Sequence, residues 1–362
     1  MGISEKLAEL ELEYSKTQKN KRTEGHLGIL KAKMAKLRRE IVEGGSGKGG
    51  ANTGGFDVRK TGNATVVFIG LPSVGKSTML NALTGSKAKT AAYAFTTLTC
   101  IPGIMKHKGA QIQLLDLPGI IGGASLGKGR GREVLAVARN ADLVLLILDV
   151  FDTNYRDKLV AELDNMGIRL DQEPADIAIE PVTRGGLNIV FSKKQTHGLD
   201  AKIVTGILKE YNIFNGSVII RDDVTVDQLI DKLTGNRKYI PSLTIINKID
   251  LVNKEYLKFI KYPFVPISAD KELNIDKLKD EIYSALKMIR VYTKSRFEAA
   301  DDEPLIVKEG TTVIAACAQI HKDLKENFKF AKVWGPSAKH PGQKVGADHV
   351  LKDGDVFKVE TR

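Results

Sequence analysis

The residues whose types and spacing point most clearly to a chemical function form a glycine-rich stretch that ends in a lysine and a serine. Residues 70–77 read GLPSVGKS, which matches G-x-x-x-x-G-K-[ST], between an apolar run and a helical pattern. Glycines let the backbone curl so that N–H groups point at phosphate oxygens, and a helix N-terminus adds partial positive charge. Lys76 is predicted to reach the β- and γ-phosphates, and Ser77 to ligate Mg²⁺. The residues predicted to contact a nucleotide here are Gly70, Pro72, Ser73, Val74, Gly75, Lys76, Ser77 and Thr78.

A second signal, DLPG at residues 116–119, follows another apolar run. The Asp116 carboxylate can hold Mg²⁺ through water, and the Gly119 N–H can contact a γ-phosphate because no side chain blocks its approach. Alone, this tetrapeptide could be a simple turn. Its position 39 residues after Ser77, behind a strand pattern, favours the functional interpretation.

Two adjacent threonines, Thr96 and Thr97, lie between these motifs in the stretch YAFTTLT. A threonine that completes the Mg²⁺ shell has to lie in this part of the chain, and we expect Thr97 rather than Thr96 in that role. The alternative is that both are ordinary strand threonines. Lys76, Thr97 and Gly119 make up the predicted catalytic set.

The sequence NKID at residues 247–250 is predicted to select the base. The Asp250 carboxylate can accept hydrogen bonds from the N1–H and exocyclic amine of guanine. Adenine offers neither donor there and would leave the carboxylate unpaired, so discrimination can be strong. The remaining predicted nucleotide contacts are Asn247, Lys248, Ser268 and Ala269, the last through its N–H at guanine O6.

These motifs lie at the ends of alternating strand and helix patterns. The run 143–149 is almost wholly apolar, as expected of a buried parallel strand. Strands alternating with helices predict a doubly wound parallel α/β sheet. The predicted strands are 64–69, 111–115, 143–149, 243–246 and 264–267, and the predicted helices are 132–140 and 275–289.

The chain before the first strand divides into two helices and a connector. Apolar residues recur at spacings of three and four within residues 3–43, which predicts a helical hairpin packed along one seam, and residues 1–43 are assigned to this domain. Residues 44–62 form the predicted linker. Its glycines, seven among the twelve residues 44–55, indicate a flexible connector.

Two further modules are predicted. The nucleotide-binding domain spans residues 63–292. The chain between Asp149 and Ser242 is longer than one crossover needs, so we expect an inserted α+β module, assigned to residues 168–238. Residues 293–362 carry short strands, one helix pattern and Gly/Asp turns, which fit a ubiquitin-like β-grasp domain. The elements predicted in and before the insertion are helices 155–166, 201–211 and 226–233 and strands 177–181, 187–191 and 217–220.

The positive charge of the chain is local. The formal net charge is +11 and the pI about 9.3. Residues 16–39 hold nine basic residues and one acid, whereas residues 293–362 hold twelve basic and eleven acidic residues. The first stretch fits an anionic partner such as RNA or a ribosome, and a solvated helical face fits equally. The candidate RNA or ribosome contacts are Lys19, Lys21, Arg22, Lys31, Arg38 and Arg39.

The order of motifs, GLPSVGKS, FTT, DLPG, NKID and SA, resembles the Obg-like branch of the translation-factor class of P-loop GTPases. Together with DVRKTGNATVVFIGLPSVGKST and GKGRGREVLAVARNADL, the whole chain is similar to the developmentally regulated GTP-binding protein family. The resemblance implies a basic N-terminal helical domain, a GTPase domain with an insertion similar to domain 2 of ribosomal protein S5, and a C-terminal TGS domain. It also implies cytoplasmic association with ribosomes or RNA and, in eukaryotic members, a dedicated stabilising protein partner.

Some positions depart from related GTPases. Ile120 follows Gly119, where many small GTPases carry a glutamine that orients water, so slow intrinsic turnover is expected. Ser73 stands where relatives of this branch often carry an asparagine that helps to hold a monovalent cation, which leaves K⁺ open as a second cofactor beside Mg²⁺. The basic side chains that could approach the γ-phosphate, or equally contact a partner, are Lys128, Arg130 and Arg132.

Three functions are weighed. The leading hypothesis is a Mg²⁺-dependent switch that binds GTP and GDP and hydrolyses GTP. The alternative is an RNA- or ribosome-binding module in which the nucleotide serves structure. A metabolic kinase is disfavoured because NKID serves guanine and no acceptor pocket is apparent.

The composition indicates the class of protein and its cellular environment. With 42% hydrophobic and 27% charged residues the chain is not wholly disordered. Its apolar runs are too short to span a bilayer, so no membrane partner is expected. Cys100 and Cys317 match no metal or disulfide spacing, which indicates a reduced, cytoplasmic setting. We expect a monomer.

Overall fold

The computed structural model describes residues 2–20, 22–43, 60–85, 101–117, 137–294 and 301–361. Within these ranges the chain divides into two units. The first, called the N-terminal unit, includes residues 2–43 and 154–240. The second, called the sheet unit, includes the described residues of 60–117, 140–153 and 241–361.

A six-stranded sheet forms the centre of the sheet unit. Its strands, numbered in chain order, are β1 Ala64–Ile69, β2 Ile101–His107, β3 Ala110–Asp116, β4 Leu143–Asp149, β10 Ser242–Asn247 and β11 Val265–Pro266. Their order is β11-β10-β4-β1-β3-β2, and all neighbours are parallel except the edge strand β2, which is antiparallel to β3. The predicted doubly wound α/β fold is confirmed.

The core of this sheet follows from strands that are apolar on both faces. All six residues of β1 are buried, and β4 is buried from Leu143 to Leu148. Such strands have to be covered on both sides. The helices of this part of the chain are α3 Lys76–Thr84, α7 Lys254–Leu257 and α8 Ile275–Ala285, with a 3₁₀ turn at Ile249–Leu251. Because β1, β3, β4 and β10 are parallel, their carboxyl ends meet at one sheet edge.

The N-terminal unit combines the helical hairpin with the inserted module. Its helices are α1 Ile3–Lys16, α2 Glu24–Glu43, α4 Tyr155–Asn165, α5 Ala201–Glu210 and α6 Val226–Thr234, and its strands are β5 Ile168–Leu170, β6 Ile177–Pro181, β7 Leu187–Phe191, β8 Gly216–Ile220 and β9 Lys238–Ile240. Strands β6, β8 and β7 form one sheet, and β5 pairs with β9.

The hairpin uses both faces of α2. Leu7 of α1 packs against Met34 and Ile41 of α2, as the apolar stripes predicted. On its other side, α2 contributes Ala32 and Ala35 to the core of the inserted module. The insertion therefore supplies the second partner of α2, which the stripes alone did not reveal.

The C-terminal domain is a five-stranded sheet with helices on one face. Its elements are β12 Met288–Thr293, β13 Leu305–Lys308, α9 Val313–Ile320, α10 Lys322–Glu326, β14 Phe328–Trp334, β15 Gln343–Val345 and β16 Asp355–Thr361, in sheet order β13-β12-β16-β14-β15. The helices cover its core through residues such as Ala316 and Cys317.

Two element boundaries in the structure differ from those expected from the sequence. The helix expected over 275–289 ends at Ala285, because Met288 and Ile289 belong to β12 and pair with β13. The apolar residues that made the predicted helix too long belong to a strand of this sheet. The expected domain boundary at 292/293 also falls inside β12, so the C-terminal sheet begins at Met288. Within the described residues, no helix has the length and apolar character needed to cross a membrane.

Candidate nucleotide-binding site

The glycine-rich loop leaves the end of β1 and enters α3. Gly75 has φ 90° and Ser73 has φ 65°, both in the left-handed region. A Cβ on Gly75 would lie 2.3 Å from Asn247 Nδ2, and a Cβ on Gly70 would lie 2.3 Å from the Ile147 carbonyl oxygen. The loop therefore has room only for glycine at these two positions, which fixes its tight curl.

The Lys76 side chain is held by carbonyl groups of this loop. Its Nζ donates to the carbonyl oxygens of Gly70, 3.1 Å away, and Leu71, 2.8 Å away. Burial lowers the pKa of Lys76, while the nearby Asp116 carboxylate raises it. The loop thus holds a desolvated ammonium group at its centre, where its charge acts strongly on an anion.

Ser77 and Asp116 meet beside the loop, as the motif spacing predicts. Ser77 Oγ donates to Asp116 Oδ2 over 2.6 Å. The second oxygen, Oδ1, is buried and accepts no hydrogen bond from the residues that the structure describes. Burial raises the pKa of Asp116, against the lowering effects of the Ser77 hydrogen bond and the Lys76 charge.

This oxygen set fits a hard cation. A buried carboxylate oxygen without a donor is costly unless something compensates it. Carboxylate and hydroxyl oxygens are the ligands that Mg²⁺ prefers. Asp116 and Ser77 therefore form a pair of groups suited to hold Mg²⁺ next to phosphates.

Asn247 joins the glycine-rich loop to the loop after β11. Its Nδ2 donates to the Val74 carbonyl oxygen over 2.8 Å, and its Oδ1 accepts from the Ala269 N–H over 3.0 Å. Asn247 is 3% exposed. Its role is to position two loops. Because the Ala269 N–H is already engaged, a contact with guanine O6 has to share or replace this hydrogen bond.

Lys248 is held by a residue that the sequence reasoning missed. Its Nζ donates to Asp149 Oδ2 over 2.6 Å, at the carboxyl end of β4. Lys248 has φ 66°, so it lies in the left-handed region at the start of the 3₁₀ turn. The available signal was Asp149 itself, the one charged residue that ends an otherwise apolar strand.

The other predicted base contacts lie close by in the chain but differ in exposure. Asp250 is exposed in the 3₁₀ turn, whereas Ser268 is 1% exposed. Ser268 Oγ accepts from the Lys271 N–H over 3.2 Å, which fixes the turn after β11. The exposed positions of the glycine-rich loop and the start of α3 are Pro72, Ser73, Ser77 and Thr78.

Several predicted residues lie outside the described ranges. Thr97 and Gly119, two of the three predicted catalytic residues, are among them, so their roles remain predictions. The others are Thr96, Ile120, Lys128, Arg130 and Arg132, which the sequence pattern assigns to the phosphate end, and Lys21, a candidate RNA contact.

Three of the six basic residues predicted to contact RNA donate hydrogen bonds to other groups of the N-terminal unit. They therefore do not form the open basic face that the sequence suggested. Lys31 Nζ donates to Asp227 over 2.6 Å, and Arg38 donates to Glu11 over 2.8 Å. Arg39 donates to the Thr234 carbonyl oxygen over 2.9 Å. Two of these three partners come from the insertion, nearly two hundred residues away, which no local pattern in the sequence could indicate.

The hairpin tip keeps the remaining described candidates. Lys19 Nζ lies 5.7 Å from the centre of the Tyr14 ring. The Arg22 backbone N–H donates to Asn20 Oδ1 over 3.0 Å, and the Arg22 side chain has no acidic partner among the described residues. The basic surface open to a partner is therefore smaller than the sequence suggested.

Family models match the chain from residue 65 to residue 361, with a gap of three residues. A model described as a 50S ribosome-binding GTPase matches residues 65–180, and the C-terminal region of that GTPase domain matches residues 184–288. A TGS domain model matches residues 289–361. This last match begins within one residue of the start of β12, so the family model and the C-terminal sheet place the start of this domain at the same point.

Relatives extend over the full length. Developmentally-regulated GTP-binding protein 1 of Xenopus laevis is 48% identical and covers 99% of this chain and 99% of its own. The developmentally-regulated GTP-binding protein 2 homolog of Dictyostelium discoideum is also 48% identical, with the same coverage. Among solved structures, the YchF GTPase of Schizosaccharomyces pombe has 14% identity and a TM-score of 0.44, and covers 83% of this chain and 99% of that one.

The sheet and the loop motifs at its carboxyl edge define a P-loop GTPase with a C-terminal TGS domain. The chain belongs to the developmentally regulated GTP-binding protein family. The resemblance drawn from the motifs is confirmed, and with it the assignment of the chain as a GTPase.

Proposed function

We propose that this GTPase is a Mg²⁺-dependent switch with slow intrinsic turnover that acts together with ribosomes or RNA. The observation that carries the Mg²⁺ dependence is the Ser77–Asp116 pair beside the glycine-rich loop, with one buried carboxylate oxygen free of donors among the described residues. When bound, Mg²⁺ would neutralise charge on the β- and γ-phosphates; Ser77, Thr97 and, through water, Asp116 would hold it.

The chain's own residues supply positioning and charge. Water attacks the γ-phosphate in line with the leaving oxygen, and the loop amides hold the phosphates in place. Lys76 exchanges its bonds to the Gly70 and Leu71 carbonyls for phosphate oxygens, where its ammonium stabilises the developing negative charge. The ammonium gains from this exchange because it is already desolvated.

The base is selected at the other end of the site. Asp250 accepts two hydrogen bonds from guanine, and Asn247 fixes its loop relative to the phosphate loop. Loss of the γ-phosphate releases the segments around Thr97 and Gly119, which changes their order and gives the switch its readout. With Ile120 after Gly119, no side-chain amide follows that glycine to orient water, so turnover is slow without a partner.

The test is GTP turnover as a function of Mg²⁺ concentration, with Asp116→Asn and Ser77→Ala beside the control Asp276→Asn, which alters a surface carboxylate on α8. We expect both site variants to need more Mg²⁺ for half-maximal turnover and the control to match the wild type. Equal Mg²⁺ requirements in all four proteins would contradict the proposal. Parallel runs in K⁺ and Na⁺ buffers test the K⁺ requirement left open by Ser73.

Association with ribosomes or RNA is supported by the basic hairpin tip and by the description of the GTPase family model. A dedicated protein partner would act on the same switch. We place this activity in the cytoplasm, as the family resemblance implies; Cys317 is a buried free thiol, which fits a reduced setting. Turnover with and without ribosomes, in the wild type and in Lys19→Gln/Arg22→Gln, tests the tip: equal stimulation of both proteins clears it of the role.

A further inference from the structure

The inserted module contains a sheet strand with one open edge. Strand β7, Leu187–Phe191, pairs in parallel with β8 on one side. On its other side, no strand among the described residues pairs with it, because the order of this sheet is β6-β8-β7. The module therefore ends in a strand whose outer backbone groups face away from the sheet.

The hydrogen bonds to β8 show which backbone groups of β7 are open. The Gly186 carbonyl oxygen accepts from the Gly216 N–H over 2.9 Å. The Ser192 N–H donates to the Ile220 carbonyl oxygen over the same distance. Because successive residues of a strand direct their backbone groups to opposite sides, the even-numbered residues between these two bonds pair with β8. The residues whose N–H and C=O groups face the open edge are Leu187, Ile189 and Phe191.

Strand β7 lacks the features that usually protect a sheet edge. Native edge strands are blunted by charged residues, by proline or by bulges. The other edge strand of this sheet, β6, carries Glu180 and Pro181. The sequence of β7, LNIVF, contains neither a charge nor a proline, and its pairing with β8 runs without a register shift. Such an edge is a template for a further strand.

Both faces of the sheet are apolar next to this edge. On the open face, Val190 is 44% exposed and lies opposite Ile219 of β8, which in turn lies opposite Ala178 of β6. On the other face, Ile189 and Phe191 are partly buried against the core of the module. An added strand with apolar or β-branched residues at its centre would extend both surfaces.

The charge around the edge favours an acidic segment. Arg184 precedes β7, Lys193 and Lys194 follow it, and all three residues are exposed. Lys193 pairs with Asp222 over 3.0 Å, whereas Arg184 and Lys194 have no acidic partner in the ranges that the structure describes. Opposite charges on neighbouring strands stabilise their pairing. Acidic residues at both ends of an added strand would therefore find a partner here.

A second copy of this chain fits the edge less well. Two β7 strands paired antiparallel about Ile189 would bring Arg184 of each copy beside Lys194 of the other, since both residues lie five positions from Ile189. Like charges in such positions are destabilising. The same two charges that oppose this pairing would stabilise an acidic segment.

We propose that the open edge of β7 binds an extended segment of another protein, which adds a fourth strand to the sheet of the inserted module. This segment has apolar or β-branched residues at its centre and acidic residues at both ends. Backbone hydrogen bonds to Leu187, Ile189 and Phe191 hold it, and the charges select it. The proposal goes beyond the GTPase and RNA proposals above and depends on neither.

Amide hydrogen exchange of the full chain, resolved by residue with NMR, tests whether the edge is open. We expect the Asn188 and Val190 amides, which pair with β8, to exchange slowly and the Ile189 and Phe191 amides to exchange fast. Slow exchange of all four amides at every protein concentration would show that the chain covers its own edge. Protection that grows with protein concentration would assign the edge to a second copy. Either result would overturn the proposal.

The binding test is fluorescence anisotropy with a labelled peptide of about nine residues, in which valine and threonine alternate between two acidic residues at each end. Ile189→Pro removes a donor from the open edge without removing a bond to β8, a place where a strand tolerates proline. We expect this variant to bind the peptide about tenfold more weakly or worse.

A matched control is available on the other edge of the same sheet. Ile179 of β6 also directs its N–H away from β8, because the neighbouring bonds to β8 are made by even-numbered residues of β6. Its side chain packs against the same core as that of Ile189. Ile179→Pro should therefore lower the thermal midpoint by as much as Ile189→Pro does, and it should bind the peptide as the wild type does.

A second pair of variants tests the charge selection. Arg184→Gln/Lys194→Gln should weaken binding of the acidic peptide about three- to tenfold at low salt, and by less at about 1 M salt. Lys202→Gln/Lys209→Gln removes the same charge from exposed positions of α5 and should leave the affinity unchanged. A peptide with lysines in place of the acidic residues should bind the wild type more weakly than the acidic peptide does.

Three binding results would overturn the proposal. The first is the absence of saturable binding of the acidic peptide to the wild type up to about 1 mM. The second is equal affinity in the wild type, Ile189→Pro and Ile179→Pro. The third is equal affinity of the wild type for the acidic and the basic peptide. GTP turnover with and without ribosomes should be the same in the wild type and Ile189→Pro, so failure of the GTPase or RNA proposal is seen separately.

Discussion

Asn247 donates its side-chain amide to the carbonyl oxygen of Val74 over 2.8 Å, which ties the loop after β10 to the glycine-rich loop after β1. The same side chain accepts from the Ala269 N–H. Three loops that follow three different strands are therefore held by one buried amide. If a nucleotide binds as we propose, this contact sets the spacing between the loops for its base and for its phosphates inside the protein.

Replacing Asn247 with alanine should weaken nucleotide binding at both ends of the site. The change leaves the Val74 carbonyl and the Ala269 N–H without partners, and each such buried group costs about 1–3 kcal/mol. We expect the Kd for GDP to rise by at least about tenfold, measured by calorimetry. Asn253→Ala, an exposed asparagine in the same region without a side-chain capping bond, should bind GDP as the wild type does. Similar Kd values for both variants would refute a linking role for Asn247.

Asp149→Asn should weaken GTP binding by a smaller factor. The Asp149–Lys248 pair is close, at 2.6 Å, but its side chains are 18% and 36% exposed, so solvent screens it. A partly exposed pair contributes about 0.5–1 kcal/mol, which corresponds to a two- to fivefold rise in Kd. The neighbouring change Asp152→Asn serves as the control.

A double-mutant cycle isolates this effect. In a Lys248→Met background the Asp149→Asn change should have no further effect on GTP affinity, because the partner is already gone. An undiminished effect in that background would show that Asp149 acts through some other group.

Asp353→Asn should make the C-terminal domain less stable at neutral pH but not in acid. Hydrogen bonding to Arg290 lowers the pKa of Asp353, against a smaller effect of burial. A carboxylate with a lowered folded-state pKa stabilises the fold above its unfolded pKa, near 3.9, and loses that contribution as pH falls through the folded value. Wild type and variant should therefore differ in thermal midpoint at pH 7 and converge as the pH falls below about 4.

The control is Asp348→Asn, an exposed carboxylate in the same domain. Because the Asp353 side chain is 43% exposed, the expected difference is a few degrees at most. A difference between wild type and Asp353→Asn that persists or grows in acid would contradict a stabilising role for the ionised carboxylate.

Much of the sheet unit was predictable because its strands are apolar on both faces. The bounds of β1 and β4 agree with those expected from the sequence. In the inserted module, the bounds of β6 and β7 also agree with the expected ones, although these strands are only partly buried. The edge strand β2 was not predicted, since it contains Pro102 and Gly103, which interrupt a strand pattern. A proline is tolerated there because β2 is at the sheet edge.

The residues of the candidate site were predictable where they belong to short contiguous sequence motifs. Residues 70–77, Asp116 and Asn247 do come together. Asp149 and the linking role of Asn247 depend on side-chain contacts between distant strands, which a linear pattern does not encode. The same holds for Lys31 and Arg39, whose partners on the insertion become visible only once the chain is folded.

The measurement that tests the central claim most directly is calorimetry of GTP and ATP binding, in the wild type and in Asp250→Asn. If Asp250 reads guanine, the wild type should prefer GTP over ATP by a factor on the order of 10⁴, and Asp250→Asn should lose most of that preference while remaining folded. The variant should in turn accept xanthosine triphosphate, whose C2 oxygen can receive a hydrogen bond from the new amide. Wild-type binding of ATP as tight as or tighter than GTP would contradict the account.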